Sequence, residues 1–390
     1  MITKENLRPV WAEINLDHLK HNIHAIKNIV KKDTIVCAVI KADGYGHGAA
    51  EIAKTLLENG ADRIAVATLS EAVALRKSGY EVPIMVLGYT PEHQGELILD
   101  NNITQTVYSY DQALEFSNAA KQKNQKMTLH LKIDTGMSRL GFQPNEEAIH
   151  DIKKIFNLPN LTIEGIFTHF AAADDRDKAY TYQQFHTFMD FVKKLEQEGC
   201  PIPIKHVSNS AAIMDLPEMN LDMVRPGIIL YGLYPSDDVD KSKIELKQVM
   251  ELKAKISHVK TLTKDRGISY GLKYTTSGDE KIITMPIGYA DGYTRMMSGK
   301  AEAIVKGKKI PLVGRICMDQ CMANATGLDV EPGDEVTLYS NDRESGLSID
   351  DIANKLGTIN YEIVCMLGKR VPRVYMENNS IVHIKDILLI

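Results

Sequence analysis

The chain has 390 residues, a formal charge of −5 and a pI near 6.2, so its bulk electrostatics give no reason to expect nucleic acid or an anionic membrane as partner. Hydrophobic residues make up 44% and charged residues 25%, the balance of an ordinary globular protein, and the length suits two domains. No apolar stretch approaches the ~20 residues that span a bilayer.

The opening "MITKENLRPVWAEINLDHL" carries polar residues where a signal peptide needs its apolar segment, so a cytoplasmic location is the expectation. From about residue 35 to 225, short apolar runs alternate with helix-length segments. The runs are "TIVCAVI", "RIAVAT", "VPIMVLG", "ITQTVY", "MTLHLKI", "LTIEGIFTH", "IKHVS" and "LDMVR". Near-continuous apolar strands followed by crossover helices indicate a parallel sheet. Eight such units suit a (β/α)8 barrel, although an open doubly wound sheet shows similar local patterns. After about residue 240 the rhythm changes to short strands separated by Gly, Pro and Asp turns, as in "KIITMPIGYADG" and "KIPLVGRICMDQ". That pattern predicts a mostly antiparallel β domain, with the boundary in the polar "YPSDDVDKSK" and domains of 1–240 and 241–390. One late helix is well signalled: Ser348 as N-cap, Asp351 in the first turn and Gly357 as the stop.

Five cysteines, at 37, 200, 317, 321 and 365, are odd in number and widely spaced, which predicts reduced thiols and no zinc site. The stretch "GYGHGA" satisfies G-x-G-x-x-A between a strand and a helix. Lys-Ala-Asp intervenes between strand and first glycine, however, and no clear ribose-binding acid ends the second strand, so a nicotinamide site is not the preferred reading.

In a barrel of this type, function gathers where strands end and βα loops begin. Strand one ends in Lys41, and strand five in "LKIDTGMSRLG" with Lys132, Asp134 and Arg139. Strand six ends in His169, strand seven supplies His206, Asn209 and Ser210, and strand eight supplies Arg225 and Gly227. Singly, each has a plain explanation. Lys41 reads as a surface lysine, the histidines as hydrogen-bonded core residues, Arg225 as the partner of a carboxylate such as Asp222, and "SNSA" as a helix cap. Together at one barrel end they suggest chemistry. A lysine amine whose pKa is lowered by burial or nearby cations forms a Schiff base with a carbonyl compound. Backbone N–H groups at "SNSA" and "PGI" suit a phosphate. Lysine and phosphate cradle together point to pyridoxal 5′-phosphate. An arginine facing its ring nitrogen would keep that nitrogen unprotonated, retaining proton exchange at the substrate carbon and disfavouring transamination.

Nine segments carry a resemblance to bacterial alanine racemases: "AVIKADGYGHG", "LKIDTGMSRLGF", "THFAAAD", "HVSNSAA", "MVRPGIILYG", "ISYGLKYTT", "IGYADGYTR", "VGRICMDQCM" and "TINYEIVCMLGKRVPRVY". They run in order from Ala38 to Tyr375. The resemblance implies a barrel plus a β domain, working as a homodimer with active sites shared between subunits. It implies Lys41 as cofactor lysine and base for the D-enantiomer, and Tyr270 of the other subunit as base for the L-enantiomer. Two bases on opposite faces racemise a substrate without moving it. A hydrogen bond from Tyr270 to His169, backed by Arg225, is the implied aid to a phenol that is otherwise a poor base at a pKa of ~10.

The resemblance further implies Tyr45, Ser210, Gly227, Ile228 and Tyr361 as the phosphate cradle. His169 lies against the ring, with Asn209 and His206 around it. Arg139 and the backbone amide of Met318 serve the substrate carboxylate, and Asp319 shapes the site. Lys132 matches a lysine often carbamylated. Tyr289, Arg295, Arg315 and Ile359 match positions at the substrate entrance. D-Alanine so made would feed peptidoglycan synthesis.

Two rivals share features of this reading. Pyridoxal-phosphate amino-acid decarboxylases share the barrel, β domain and lysine but need an acidic partner for the ring nitrogen, where this chain has arginine. A non-catalytic pyridoxal-phosphate carrier of the single-domain barrel type leaves the last ~150 residues, with Tyr270 and Met318, unexplained.

Overall fold

A computed structural model describes residues 6–389. The chain divides into two compact units. One comprises Lys20–Gly44 and Ala49–Leu246; the other comprises the chain up to Leu19, Tyr45–Gly48 and the chain from Lys247 onward.

The first strand, β1 (Val10–Asn15), belongs to the second unit and is described with it. The first unit is built on eight parallel strands, β2 (Ile35–Val39), β3 (Arg63–Val66), β4 (Ile84–Val86), β5 (Ile103–Val107), β6 (Met127–Lys132), β7 (Leu161–Phe167), β8 (Ile204–His206) and β9 (Met223–Val224). Each pairs with the next from β2 to β8, and β9 returns to pair with β2. The remaining seam between β8 and β9 has no regular ladder. It is closed by Asp222 N–H to Lys205 O at 3.1 Å and Arg225 N–H to Ser208 O at 3.0 Å. The expected barrel is therefore present, nearly closed. Its strands are buried apolar runs because helices cover the outer face: Val36, Ile64, Val86, Val107, Leu131 and Ile166 are all fully buried.

The second unit is one ten-stranded sheet and a small hairpin. Its later strands are β10 (Met250–Lys255), β11 (His258–Leu262), β12 (Gly267–Ile268), β13 (Tyr274–Thr275), β14 (Glu280–Met285), β15 (Glu302–Val305), β16 (Lys308–Val313), β17 (Cys321–Asn324), β18 (Glu335–Tyr339), β19 (Arg373–Glu377) and β20 (Ser380–Lys385). The order is β11-β14-β17-β16-β15-β18-β10-β1-β19-β20, antiparallel except for the β1–β19 pair. The helix Ile349–Leu356 is capped as expected: Ser348 and Asp351 form a reciprocal capping box and Gly357 is left-handed at φ 77°. Among the described residues no two cysteines are joined by a disulfide. Among the described residues no helix is long and apolar enough to cross a membrane.

The division differs from the expected 1–240 and 241–390 at both ends of the barrel segment. β1 lies between β10 and β19, so the N-terminal segment fills the middle of the C-terminal sheet. Tyr45–Gly48 joins the same unit because Arg373 Nε donates to Gly46 O at 3.0 Å and Tyr375 OH to His47 O at 2.9 Å. A Cβ on Gly46, at φ 79°, would collide with the Val364 carbonyl, so only glycine fits that approach.

One buried carboxylate organises the loops of this unit. Asp291, fully buried, accepts from both terminal nitrogens of Arg8, with Nη2 at 2.8 Å from Oδ2. It also accepts from Gly288 N–H at 3.0 Å and lies 3.4 Å from Arg370 Nε. Arg370 in turn donates to Asp319 at 2.8 Å. Removing Asp291 leaves the buried Gly288 N–H and the partly exposed Arg8 without their acceptor, which costs about 1–3 kcal/mol. Asp291→Ala is accordingly expected to destabilise the protein by about that much in urea unfolding, and a loss below ~1 kcal/mol contradicts the role assigned to it.

Candidate active site

Lys41 follows β2 by two residues, at the C-terminal end of the barrel, and is partly buried. The chain then makes a left-handed turn: Ala42, Asp43, Gly44 and Tyr45 all have φ between 52° and 63°. Three of the four are not glycine, and each costs roughly 1–2 kcal/mol in that conformation. Polar contacts hold the turn. Glu71 accepts from Ala42 N–H at 2.6 Å, Asp43 accepts from Ala49 N–H at 2.9 Å, and Gly44 N–H returns to Ile40 O at 2.9 Å. Strain held in this way gathers at functional sites.

Arg225 follows β9 and is 4% exposed. It does not pair with Asp222, whose carboxylate instead accepts from Lys205 N–H at 2.7 Å. Its guanidinium is held wholly by neutral acceptors: His206 Nδ1 at 2.7 Å, Thr168 O at 2.9 Å, Val207 O at 3.1 Å and His169 Nδ1 at 3.3 Å. The group also lies 5.3 Å from the Phe167 ring centre, and that ring stacks on His206 at 4.7 Å. Burial lowers Arg225 to about 10, so it remains a cation at neutral pH. Burial and then Arg225 push both His169 and His206 well below the ordinary histidine value, so both rings are neutral. A guanidinium only donates, so both Nδ1 atoms accept and both ring protons sit on Nε2.

Lys132 ends β6 and is buried. Its amine donates to Ile133 O at 2.7 Å and Leu140 O at 3.1 Å. Burial lowers its pKa to about 8, with Arg225 and Arg139 acting in the same sense and Asp134 opposing. The following loop returns through an isolated bridge between Ile133 and Phe142 and leaves Arg139 exposed. Asp134 shapes that loop by accepting from Gly136 N–H at 3.1 Å and Ser138 N–H at 2.9 Å. Ser138 is left-handed at φ 57°.

Asn209 is a helix cap, as its plain explanation had it: it accepts from Ala212 N–H at 3.1 Å and starts the helix Ser210–Asp215. Ser210 Oγ accepts from Gly227 N–H at 2.9 Å, which leaves the hydroxyl proton to donate elsewhere. Gly227 also caps the short helix Ile228–Tyr231, whose leading N–H groups have no acceptor within the helix. The barrel end thus offers an amine, a hydroxyl beside helix-terminal N–H groups, and a buried guanidinium. That donor set fits the aldehyde, phosphate and ring nitrogen of pyridoxal phosphate.

The second unit carries the other expected residues. Tyr270 is 72% exposed in the turn Tyr270–Leu272, which follows a left-handed Ser269 at φ 63°. Ser269 Oγ donates to Arg315 O at 2.6 Å, tying that turn to the "GRICMDQ" segment. Arg315 is partly buried and sits beside Gly271, while Arg295, Tyr289, Met318, Asp319 and Ile359 are exposed. Carbonyls of Cys317 and Met318 accept from Tyr289 and Ala290 N–H groups, both at 3.0 Å, so the "GYAD" and "CMDQ" segments are locked together. Tyr45 and Tyr361 lie with ring centres 6.3 Å apart. Sequence reasoning missed Glu71 and Phe167 in the barrel, and Asp291 and Arg8 in the β unit. A capping-box spacing, Thr68 to Glu71, was the one available signal among them.

Comparison with known proteins places the chain in a family. The family model "Alanine racemase, N-terminal domain" matches residues 14–235, and "Alanine racemase, C-terminal domain" matches residues 249–375. The chain is 50% identical over 382 residues to alanine racemase 1 of Clostridium acetobutylicum, covering 98% of this chain and 99% of that one. It is 52% identical over 384 residues to the alanine racemase of Clostridium tetani, covering 98% and 99%. A solved alanine racemase of Clostridium difficile 630 superposes with a TM-score of 0.94 at 50% identity, covering 99% of both chains. With both halves matched by their own domain models and relatives half identical along nearly its whole length, the chain belongs to the alanine racemase family.

Proposed function

We propose that this chain interconverts L- and D-alanine with pyridoxal 5′-phosphate held at the C-terminal end of its barrel. The observation that carries the reading is Arg225, a buried cation at the eighth barrel strand with only neutral acceptors. A cation there keeps a facing ring nitrogen unprotonated, where a decarboxylase of this architecture needs an acid. Pyridoxal phosphate, when bound, withdraws charge from the substrate α-carbon and so makes its proton removable.

The chain's own residues then divide the work. Lys41 holds the cofactor through its amine and handles the proton on the face serving D-alanine. Tyr270, supplied by a second copy of the chain, handles it on the face serving L-alanine. Its exposure, beside exposed Leu272, supports an assembly in which that turn is covered by another subunit. His169 carries its proton on Nε2 and is therefore a donor to a phenol oxygen, which favours the phenolate. Ser210, Gly227, Ile228, Tyr45 and Tyr361 hold the phosphate, and Asn209 and His206 fix the frame around the ring. Arg139 and the Met318 N–H bind the substrate carboxylate. Asp319, Tyr289, Arg295, Arg315 and Ile359 line the approach. We place the reaction in the cytoplasm, with its D-alanine going to peptidoglycan.

The test is to incubate the loaded protein with L-alanine in heavy water and follow polarimetry and NMR. D-Alanine carrying α-deuterium is expected from the wild type, and neither D-alanine nor α-deuterium incorporation with Lys41→Ala. Release of carbon dioxide from lysine, ornithine or diaminopimelate without racemisation would overturn the reading. Lys132 gives a separate prediction. Its lowered pKa leaves part of the amine neutral near pH 8, the form that adds carbon dioxide to give a carbamate and a proton. With 13C-labelled carbon dioxide, a carbamate signal should grow as pH rises through about 8 and be absent in Lys132→Arg. Growth only near the ordinary lysine value of 10.5 contradicts it.

A further inference from the structure

Behind Arg225 a single line of hydrogen bonds runs across the barrel to residues that no part of the proposed reaction uses. His206, which accepts from Arg225 at Nδ1, meets His130 Nδ1 with its Nε2 at 2.9 Å. His130 Nε2 meets Glu164 Oε2 at 2.9 Å, and Arg63 Nη1 donates to the same oxygen at 2.6 Å. The residues come from β3, β6, β7, β8 and the end of β9.

The proton positions along this line follow from its two ends. Arg225 only donates, so His206 Nδ1 accepts and the His206 proton is on Nε2. That proton is donated to His130 Nδ1, so the His130 proton is on Nε2 and is donated to the carboxylate. Both rings are neutral: burial lowers His130, and burial with Arg225 lowers His206 further. Glu164 is lowered to about 2, first by the His130 hydrogen bond, so it is an acceptor throughout the neutral range. A donor at the Glu164 end would reverse every bond and set a His206 N–H against the Arg225 N–H.

The backbone is built for this contact. Pairing between β6 and β7 runs Leu129 to Ile163 and then His130 to Gly165, so Glu164 is the extra residue of a bulge. Bulges re-aim side chains near active sites. A Cβ on Gly165 would fall on the His130 ring, so the glycine makes the space the ring occupies.

We propose that Glu164 is a positioning residue for the reaction, anchoring the far end of the His130–His206 line so that the His206 ring holds the Arg225 guanidinium at the barrel mouth. The inference rests on the reading that Arg225 serves the cofactor ring. Its test uses the full-length loaded enzyme with 15N-labelled histidine. NMR of the wild type should find His130 and His206 neutral with protons on Nε2 across the range where an ordinary histidine titrates. Glu164→Leu should leave the His130 Nε2 proton without its acceptor, shift the 15N signals of that ring, and lower kcat about tenfold with KM within about twofold, because the change lies behind Arg225 and not at the substrate. Glu164→Gln, which keeps an acceptor oxygen, should restore the His130 15N signals and most of kcat. A wild-type ring proton on Nδ1 at either histidine overturns the proposal, and this result needs no variant to fold. A folded Glu164→Leu with unchanged kcat also overturns it. Proton positions as stated in a wild type that racemises nothing would support the line while sinking the reading of the reaction, so the two fail separately.

Discussion

A guanidinium buried without a carboxylate sets the terms for the barrel end. Arg225 lies in a low-dielectric interior where a paired acid would be the ordinary solution, yet four neutral acceptors take its hydrogen bonds. The consequences spread outward. Its positive field helps keep His169 and His206 neutral and fixes their tautomers, and it helps lower the Lys132 amine. A site so charged suits the anionic, electron-withdrawing ring and the substrate carboxylate of the proposed reaction. It is poorly prepared to protonate that ring.

The β unit solves a different problem with a carboxylate. Asp291 gathers Arg8, Arg370 and the Gly288 N–H, and through Arg370 it reaches Asp319. Segments far apart in the chain are thereby fixed around the "CMDQ" turn, while Tyr270 is left exposed on its own strained turn. Of the two exposed phenols on these loops, Tyr270 and Tyr289, the proposed reaction assigns the base to Tyr270.

Much of this was legible in the chain. The eight barrel strands read correctly because crossover helices bury both faces, giving near-continuous apolar runs. Lys41, His169, His206 and Arg225 stand out because a charged or polar residue at the end of such a run is conspicuous. Other features carry no local signal. "VWAEIN" sits in a sheet whose other members lie more than 230 residues away, so its domain could not be read from its neighbours. Nothing in "KADGY" announces four left-handed residues, since only one of them is glycine. His130 and Glu164 look like ordinary strand residues. What joins them is a register shift of one residue between β6 and β7, which periodicity does not reveal. The three glycines of "GYGHG" mimic a nucleotide loop, but Gly46 is there to let the chain approach Val364.

The central claim is that two bases on opposite faces, Lys41 and Tyr270, divide the proton transfers. It is tested most directly by deuterium washout from each α-deuterated enantiomer of alanine in the Tyr270→Ala variant, with pyridoxal phosphate bound. The two-base account predicts that exchange from L-alanine collapses while exchange from D-alanine, which Lys41 serves, persists. Equal impairment from both enantiomers would contradict it.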